Sequence, residues 1–90
     1  MSDQNWTYVL RSVKDGKFYI GHTNSLERRM SEHHSGRVKS TAHRRPLILI
    51  HQECFSDLTE AVKREKYLKT AAGRRWLNKH LAGRSGGTPG

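Results

Sequence analysis

The sequence has 90 residues, enough for one small domain with a single hydrophobic core, and we expect no separate regulatory or cofactor domain. Its 17 Lys and Arg against 8 Asp and Glu give a formal net charge of +9, which favours a polyanionic partner and nucleic acid in particular. Charge alone does not separate an enzyme that acts on nucleic acid from a protein that only binds it.

Cysteine content and hydrophobicity indicate the cellular compartment in which the protein works. Cys54 is the single cysteine and cannot form an internal disulfide, and the N-terminus lacks the pattern of a signal peptide. We therefore expect a reducing, intracellular compartment, the cytoplasm. No apolar run approaches the roughly 20 residues of a membrane span, so no membrane role is expected. The six histidines lack the spacing of a structural zinc site.

The first predicted element is a β-hairpin. Residues 6–12 and 18–20 are rich in strand-forming side chains, and Asp15-Gly16 between them is a turn signal. A helix follows, because Asn24 with Glu27 three residues later is typical of a helix start. This helix should end near residue 34, and the polar, basic segment after it predicts a loop over residues 35–45.

The second half predicts one more strand and two helices. Apolar residues after Pro46 indicate a strand that extends to about Phe55, and Asp57 begins a helix that should reach about Lys69. Gly73 then separates it from a short helix near residues 75–81. The expected fold is α/β: a small three-stranded, antiparallel or mixed sheet flanked by helices, in the order ββαβα plus a terminal helix. Residues 1–82 should form the domain and 83–90 a disordered tail.

Glu65 stands out on the helix that begins at Asp57. The helical step of about 100° places it inside an apolar stripe, whereas Glu60 falls on the solvated face. A carboxylate in an apolar stripe needs a compensating partner. That partner is either a functional cation or, more simply, a salt bridge to a nearby Lys or Arg. The stripe consists of Leu58, Ala61, Val62 and Leu68.

The helix that begins near Asn24 carries two polar residues on its apolar side. Arg29 and His33 share the face of Leu26 and Met30, whereas Arg28 points away. An inward Arg and His can be a purely structural pair, because Arg is rarely buried without a partner.

The order and spacing of these residues resemble the motif series of the GIY-YIG nuclease superfamily. Tyr19-Ile20-Gly21 is the literal YIG, and Tyr8 lies eleven positions earlier, where the tyrosine of GIY belongs. Trp6-Thr7-Tyr8 departs from Gly-Ile-Tyr but keeps the tyrosine. With Arg29, His33 and Glu65, the match covers roughly residues 6 to 80. It is most similar to short stand-alone bacterial members related to the nuclease domain of the excision-repair incision subunit.

The resemblance implies hydrolysis of phosphodiester bonds at a single divalent metal, Mg²⁺ or Mn²⁺. Glu65 is then the metal ligand, since magnesium is commonly held by one or two carboxylates with waters and phosphate oxygens. Arg29 holds the scissile phosphate. Tyr8 is the general base, which requires that a metal or a nearby cation lower the pKa of its phenol.

Three other motif residues have supporting roles in this interpretation. His33 assists proton transfer or orients the phosphate, and Tyr19 holds the water network, both by resemblance alone. Gly21 allows close backbone approach.

Basic residues outside the motifs predict the DNA-binding surface. Clustered Lys and Arg contact phosphates without reading sequence, so we expect structure-directed or weakly specific cleavage, or targeting by a partner protein. DNA repair or recombination is the expected setting. The alternative is a non-catalytic nucleic-acid-binding module with the same fold, although such a protein has no need of Glu65. The predicted surface consists of Arg37, Lys39, His43, Arg44, Arg45, Arg74, Arg75 and Lys79.

Overall fold

A computed structural model of the chain describes residues 4–86. It contains a three-stranded antiparallel sheet flanked by helices, which confirms the predicted α/β class. The loop predicted over residues 35–45 contains one short helix, so the order is ββααβαα. The elements are β1 (Asn5–Ser12), β2 (Phe18–Thr23), α1 (Leu26–His34), α2 (Lys39–Ala42), β3 (Leu47–Phe55), α3 (Leu58–Leu68) and α4 (Ala71–Gly86).

The central strand of the sheet is β1, in the order β2-β1-β3. Its register places Tyr8 opposite Gly21 and Leu10 opposite Tyr19 on β2. Side chains of a strand alternate between faces, so Tyr8 and Leu10 lie on one face of the sheet and Val9 on the other. This alternation assigns each motif residue of the hairpin to a face.

Two hydrophobic clusters cover the two faces. Tyr8, Leu10 and Leu47 pack with Met30 and other residues on the α1 side. On the opposite face, Val9 and Ile20 pack with buried side chains of α3 and α4. The consequence for function is that α1, which carries Arg29 and His33, lies over the face that carries Tyr8.

The starts of the helices refine the sequence prediction. The N-cap of α1 is Ser25, one residue after the predicted Asn24, and its side chain accepts a hydrogen bond from the backbone N–H of Arg28. Asp57 caps α3 as predicted, accepting from the N–H of Thr59 at 2.9 Å. Leu58 was predicted in the apolar stripe, but its position in the first turn leaves it 53% exposed.

The last helix begins earlier than predicted, at Ala71, and Gly73 lies inside it instead of separating two elements. A Cβ on Gly73 would lie 2.0 Å from the carbonyl oxygen of Tyr67, so this glycine permits the close approach of α4 to the end of α3. The helix continues to Gly86, within the segment predicted as a tail; residues 87–90 lie outside the described part of the chain. None of the helices within residues 4–86 combines the length and hydrophobicity of a membrane span.

Candidate active site

Tyr8 is the buried centre of the candidate site, with 1% of its surface exposed. Its ring lies across the backbone of the neighbouring strand at Gly21. A Cβ at that position would lie 2.7 Å from the Tyr8 hydroxyl oxygen, so a larger residue would displace the ring. The geometry therefore agrees with the close approach expected of the glycine in the Tyr-Ile-Gly motif.

Two side chains of α1 meet the Tyr8 hydroxyl. Nε2 of His33 lies 2.9 Å from the hydroxyl oxygen, and Nε of Arg29 donates to the same oxygen at 3.4 Å. The helical face predicted for this pair explains the arrangement. Arg28 points away, with its side chain 59% exposed against 32% for Arg29. The second ring nitrogen of His33, Nδ1, lies 2.9 Å from Oγ1 of Thr41 in α2.

Burial governs the protonation of this group. It raises the pKa of Tyr8 from 10.0 to about 12, against the lowering effect of the Arg29 hydrogen bond. Burial and then the charge of Arg29 lower the pKa of His33 to about 4. At neutral pH Tyr8 therefore keeps its proton and His33 is uncharged. Arg29 by itself does not lower the pKa of Tyr8 as a general base requires, because loss of solvation outweighs the effect of this nearby cation.

Arg29 connects the buried group to the surface. Its Nη1 donates to Oε1 of Glu32 at 2.8 Å, so the structural pairing left open by the sequence does exist. Hydrogen bonds to Tyr8 and Glu32 raise the pKa of Arg29, so the guanidinium stays charged. Arg29 also lines two surface hollows. One, of about 320 Å³, reaches Leu58, and the other, of about 390 Å³, reaches Arg37.

Tyr19 completes the aromatic part of the site. Its ring centroid lies 6.3 Å from that of Tyr8 and 5.1 Å from that of His33, with an edge-on orientation to the histidine. The three rings therefore form one cluster between the hairpin and α1. The role of Tyr19 in a water network stays a prediction.

Glu65 lies on α3 and is partly buried, with its side chain 15% exposed. Both carboxylate oxygens have cationic or polar partners: Oε1 meets Nδ1 of His22, and Oε2 accepts from Nζ of Lys69 at 2.6 Å. Burial acts to raise the pKa of Glu65, but the hydrogen bonds from Lys69 and His22 outweigh it and lower the pKa. The carboxylate is therefore anionic at neutral pH. The simpler expectation, a salt bridge to a nearby Lys, is also met.

The chemistry of Glu65 fits a hard divalent cation. Within residues 4–86, no three side chains of His, Cys, Asp or Glu cluster closely enough to hold a metal by themselves. Magnesium does not require such a cluster, because it keeps several waters and accepts phosphate oxygens beside one carboxylate. Glu65 is the anionic group that would hold it. Its negative charge reaches Tyr8, where it contributes to the raised pKa of the phenol.

All but one of the predicted DNA-binding residues are exposed. The other, Arg44, has a side chain that is only 18% exposed: its Nε lies 3.5 Å from Asp15 Oδ2 and its Nη2 donates to the carbonyl of Phe18 at 3.5 Å. It joins the central loop to the hairpin, which argues against a phosphate contact. The exposed members are Arg37, Lys39, His43, Arg45, Arg74, Arg75 and Lys79.

Sequence reasoning missed four residues that contact the site: His22, Glu32, Thr41 and Lys69. Two had a usable signal, because Glu32 is three residues after Arg29 and Lys69 four after Glu65 on the same helix. His22 and Thr41 had no such signal. Glu65, the partner of His22, is 43 residues away on another element, and His33, the partner of Thr41, is 8 residues away on another helix.

The chain is similar to known proteins in both sequence and fold. The GIY-YIG catalytic domain family matches residues 4–79. A UPF0213 protein of Staphylococcus haemolyticus is 38% identical over 68 residues, covering 74% of this chain and 82% of the relative. A UPF0213 protein of Enterococcus faecalis is 44% identical over 68 residues, covering 72% and 76%. The solution NMR structure of a UPF0213 protein from Bacillus halodurans has a TM-score of 0.53 at 30% identity, covering 84% of this chain and 83% of that one.

Proposed function

The chain belongs to the GIY-YIG catalytic domain family, and we propose from this membership and the site geometry that it is a metal-dependent DNA endonuclease. The observation that carries the proposal is the convergence of Tyr8, Arg29 and His33 at one hydroxyl group, with Glu65 held separately by His22 of β2. A tyrosine, a histidine, an arginine and a carboxylate supply the proton acceptor, phosphate clamp and metal ligand that phosphodiester hydrolysis needs.

Arg29 is the proposed phosphate contact. It is the one side chain that touches Tyr8, remains charged and lines both surface hollows among residues 4–86. A phosphate bound there would sit next to the Tyr8 hydroxyl and be held by a forked cation. Because the negative charge of the phosphoryl group increases in the transition state, this contact should strengthen as the reaction proceeds.

Tyr8 and His33 are proposed to relay a proton. The Tyr8 oxygen takes a proton from the attacking water while its own proton passes to Nε2 of His33, and the resulting hydroxide attacks phosphorus. The bond to the leaving oxygen breaks, and that oxygen takes up a proton from solvent. The raised pKa of Tyr8 and lowered pKa of His33 oppose this transfer in the free protein. A phosphate on Arg29 offsets the cationic charge that contributes to the low pKa of His33, which couples the relay to substrate binding.

Glu65 is the proposed ligand of Mg²⁺ or Mn²⁺. A bound divalent cation supplies charge neutralisation on the phosphate and a more acidic water. Lys69 pairs with one carboxylate oxygen, and this long, 51% exposed side chain can move away at small cost. His22 holds the other oxygen and orients the carboxylate.

The exposed basic residues support DNA as the substrate. Contacts from Lys and Arg to phosphates are independent of base sequence, so we propose structure-directed or weakly specific cleavage, with a partner protein supplying any target choice. A setting in DNA repair or recombination inside the cell belongs to the same proposal. The second candidate, a nucleic-acid-binding module without catalysis, is favoured by the observation that Arg29 and Glu65 both have structural ion-pair partners.

The deciding experiment compares two isosteric changes on one helix. Glu65→Gln removes the proposed metal ligand, and Glu60→Gln removes an equal charge from a side chain that is 55% exposed. We expect the first to abolish Mg²⁺- or Mn²⁺-dependent nicking of supercoiled and branched DNA and the second to leave it intact. Circular dichroism melting checks the folding of both. Full nicking by Glu65→Gln, or no metal-dependent nicking by the wild-type protein, would exclude the proposed mechanism.

A further inference from the structure

Thr41 lies in α2, within the basic segment between α1 and β3, yet its side chain is completely buried. Its Oγ1 lies 2.9 Å from Nδ1 of His33, while the other ring nitrogen, Nε2, faces Tyr8. The contact exists because the chain after α1 folds back and places α2 beside His33. Thr41 therefore contacts His33 at the ring nitrogen that faces away from Tyr8.

The direction of each hydrogen bond follows from what each group can donate. Arg29 can only donate, so its Nε uses an acceptor site on the Tyr8 oxygen. The Tyr8 proton is then directed to another acceptor, and Nε2 of His33 is 2.9 Å away. A neutral imidazole that accepts at Nε2 carries its proton on Nδ1. That proton is donated to Thr41 Oγ1, whose own hydroxyl donates to the Val38 carbonyl oxygen at 3.5 Å.

We propose that Thr41 is a positioning residue that keeps the His33 proton on Nδ1, so that Nε2 stays open to take the proton of Tyr8. The catalytic consequence rests on the proposed nuclease function, whereas the tautomer does not. In the relay the Tyr8 O–H bond breaks as the Nε2–H bond forms, and the imidazolium later releases one proton to solvent. With the opposite tautomer, Nε2 already carries a proton and the transfer has no acceptor.

The proposed role of Thr41 requires its hydroxyl group, and a side chain of the same volume without a hydroxyl cannot replace it. Thr41→Val keeps the shape but leaves Nδ1–H without an acceptor in a buried site, which is unfavourable. The imidazole removes that unpaired donor by moving its proton to Nε2, where the Tyr8 oxygen accepts it once the Tyr8 O–H has turned away from the ring. Thr41→Ser keeps the hydroxyl and should keep the wild-type tautomer.

Long-range ¹H–¹⁵N correlation spectra of the metal-free full chain at neutral pH measure this directly. We expect the His33 proton on Nδ1 in the wild-type protein and in Thr41→Ser, and on Nε2 in Thr41→Val. Single-turnover cleavage by Thr41→Val should fall at least about tenfold, a part of what a general base contributes, while Thr41→Ser stays near wild type. DNA affinity without metal should be equal in all three proteins.

A wild-type His33 with its proton on Nε2 would overturn the proposal, and so would an unchanged tautomer in Thr41→Val. If Thr41→Val does not fold, the wild-type and Thr41→Ser spectra still decide the tautomer. Expected tautomers with undiminished cleavage by Thr41→Val would overturn the positioning role. Expected tautomers in a wild-type protein that cuts no DNA would overturn the nuclease function and support the hydrogen-bond assignment.

Discussion

Replacing Arg29 or Arg28 with alanine separates a site contact from simple attraction of DNA by charge. Each change removes one positive charge from neighbouring positions of α1, so a protein that acts through net charge alone should lose similar amounts of activity. The two side chains have different surroundings. Arg29 contacts Tyr8 and lies 2.8 Å from Glu32, whereas Arg28 is 59% exposed, donates to Asn24 Oδ1 at 2.9 Å and lies 3.9 Å from Glu32.

The expected loss is unequal. Removing a charged group that stabilises a transition state costs on the order of 3 kcal/mol, or more than about 100-fold in rate. An exposed phosphate contact such as Arg28 contributes less than about 1 kcal/mol, or under about fivefold. Arg29→Lys keeps the charge but not the fork that reaches both Tyr8 and Glu32, and it should fall between these values.

Single-turnover rates on one DNA substrate, with the protein in excess, measure these losses without product release. Fluorescence anisotropy in EDTA gives DNA affinity separately, and thermal melting confirms that each variant is folded. We expect similar, small losses of affinity for the two alanine variants and a large loss of rate for Arg29→Ala only. Equal and modest losses of rate at both positions would refute the assignment of Arg29 to the phosphate and favour the binding-module alternative.

Three further predictions concern the stability of the protein and its binding to DNA. The pKa of His33 is about 4 in the folded protein and near 6.5 in the unfolded chain. Between these two values only the unfolded chain binds a proton at His33, so the free energy of unfolding decreases as the pH is lowered from 6.5 to 4. Urea denaturation should show a loss of about 2 kcal/mol from pH 7 to 4.5, and a flat response would contradict the burial of a neutral imidazole. Arg37→Ala should reduce the salt dependence of DNA binding by about one unit of slope, because one phosphate contact is lost. Arg44→Ala, which breaks the contacts with Asp15 and Phe18, should lower the melting temperature without changing that slope.

Periodicity along the chain was enough to assign residues to faces. The helical step in α1 depends only on local backbone geometry, so Arg29 and His33 were predicted to share the apolar face of that helix, and both side chains contact Tyr8. The stripe on α3 likewise identified Glu65 as a carboxylate that needs a partner. The spacing of the Tyr-Ile-Gly tripeptide from Tyr8 identified the family, since the length of the hairpin sets that spacing.

Tertiary structure decided which atoms meet and which groups ionise. Thr41 and His22 reach their partners only through the packing of separate elements, and no local repeat in the sequence encodes those distances. Arg44 could not be distinguished from its basic neighbours until its burial was known. The predicted general-base role of Tyr8 requires that a metal or a nearby cation lower its pKa. Burial instead raises that pKa against the effect of Arg29, because solvation depends on every atom packed around a group and not on one neighbour.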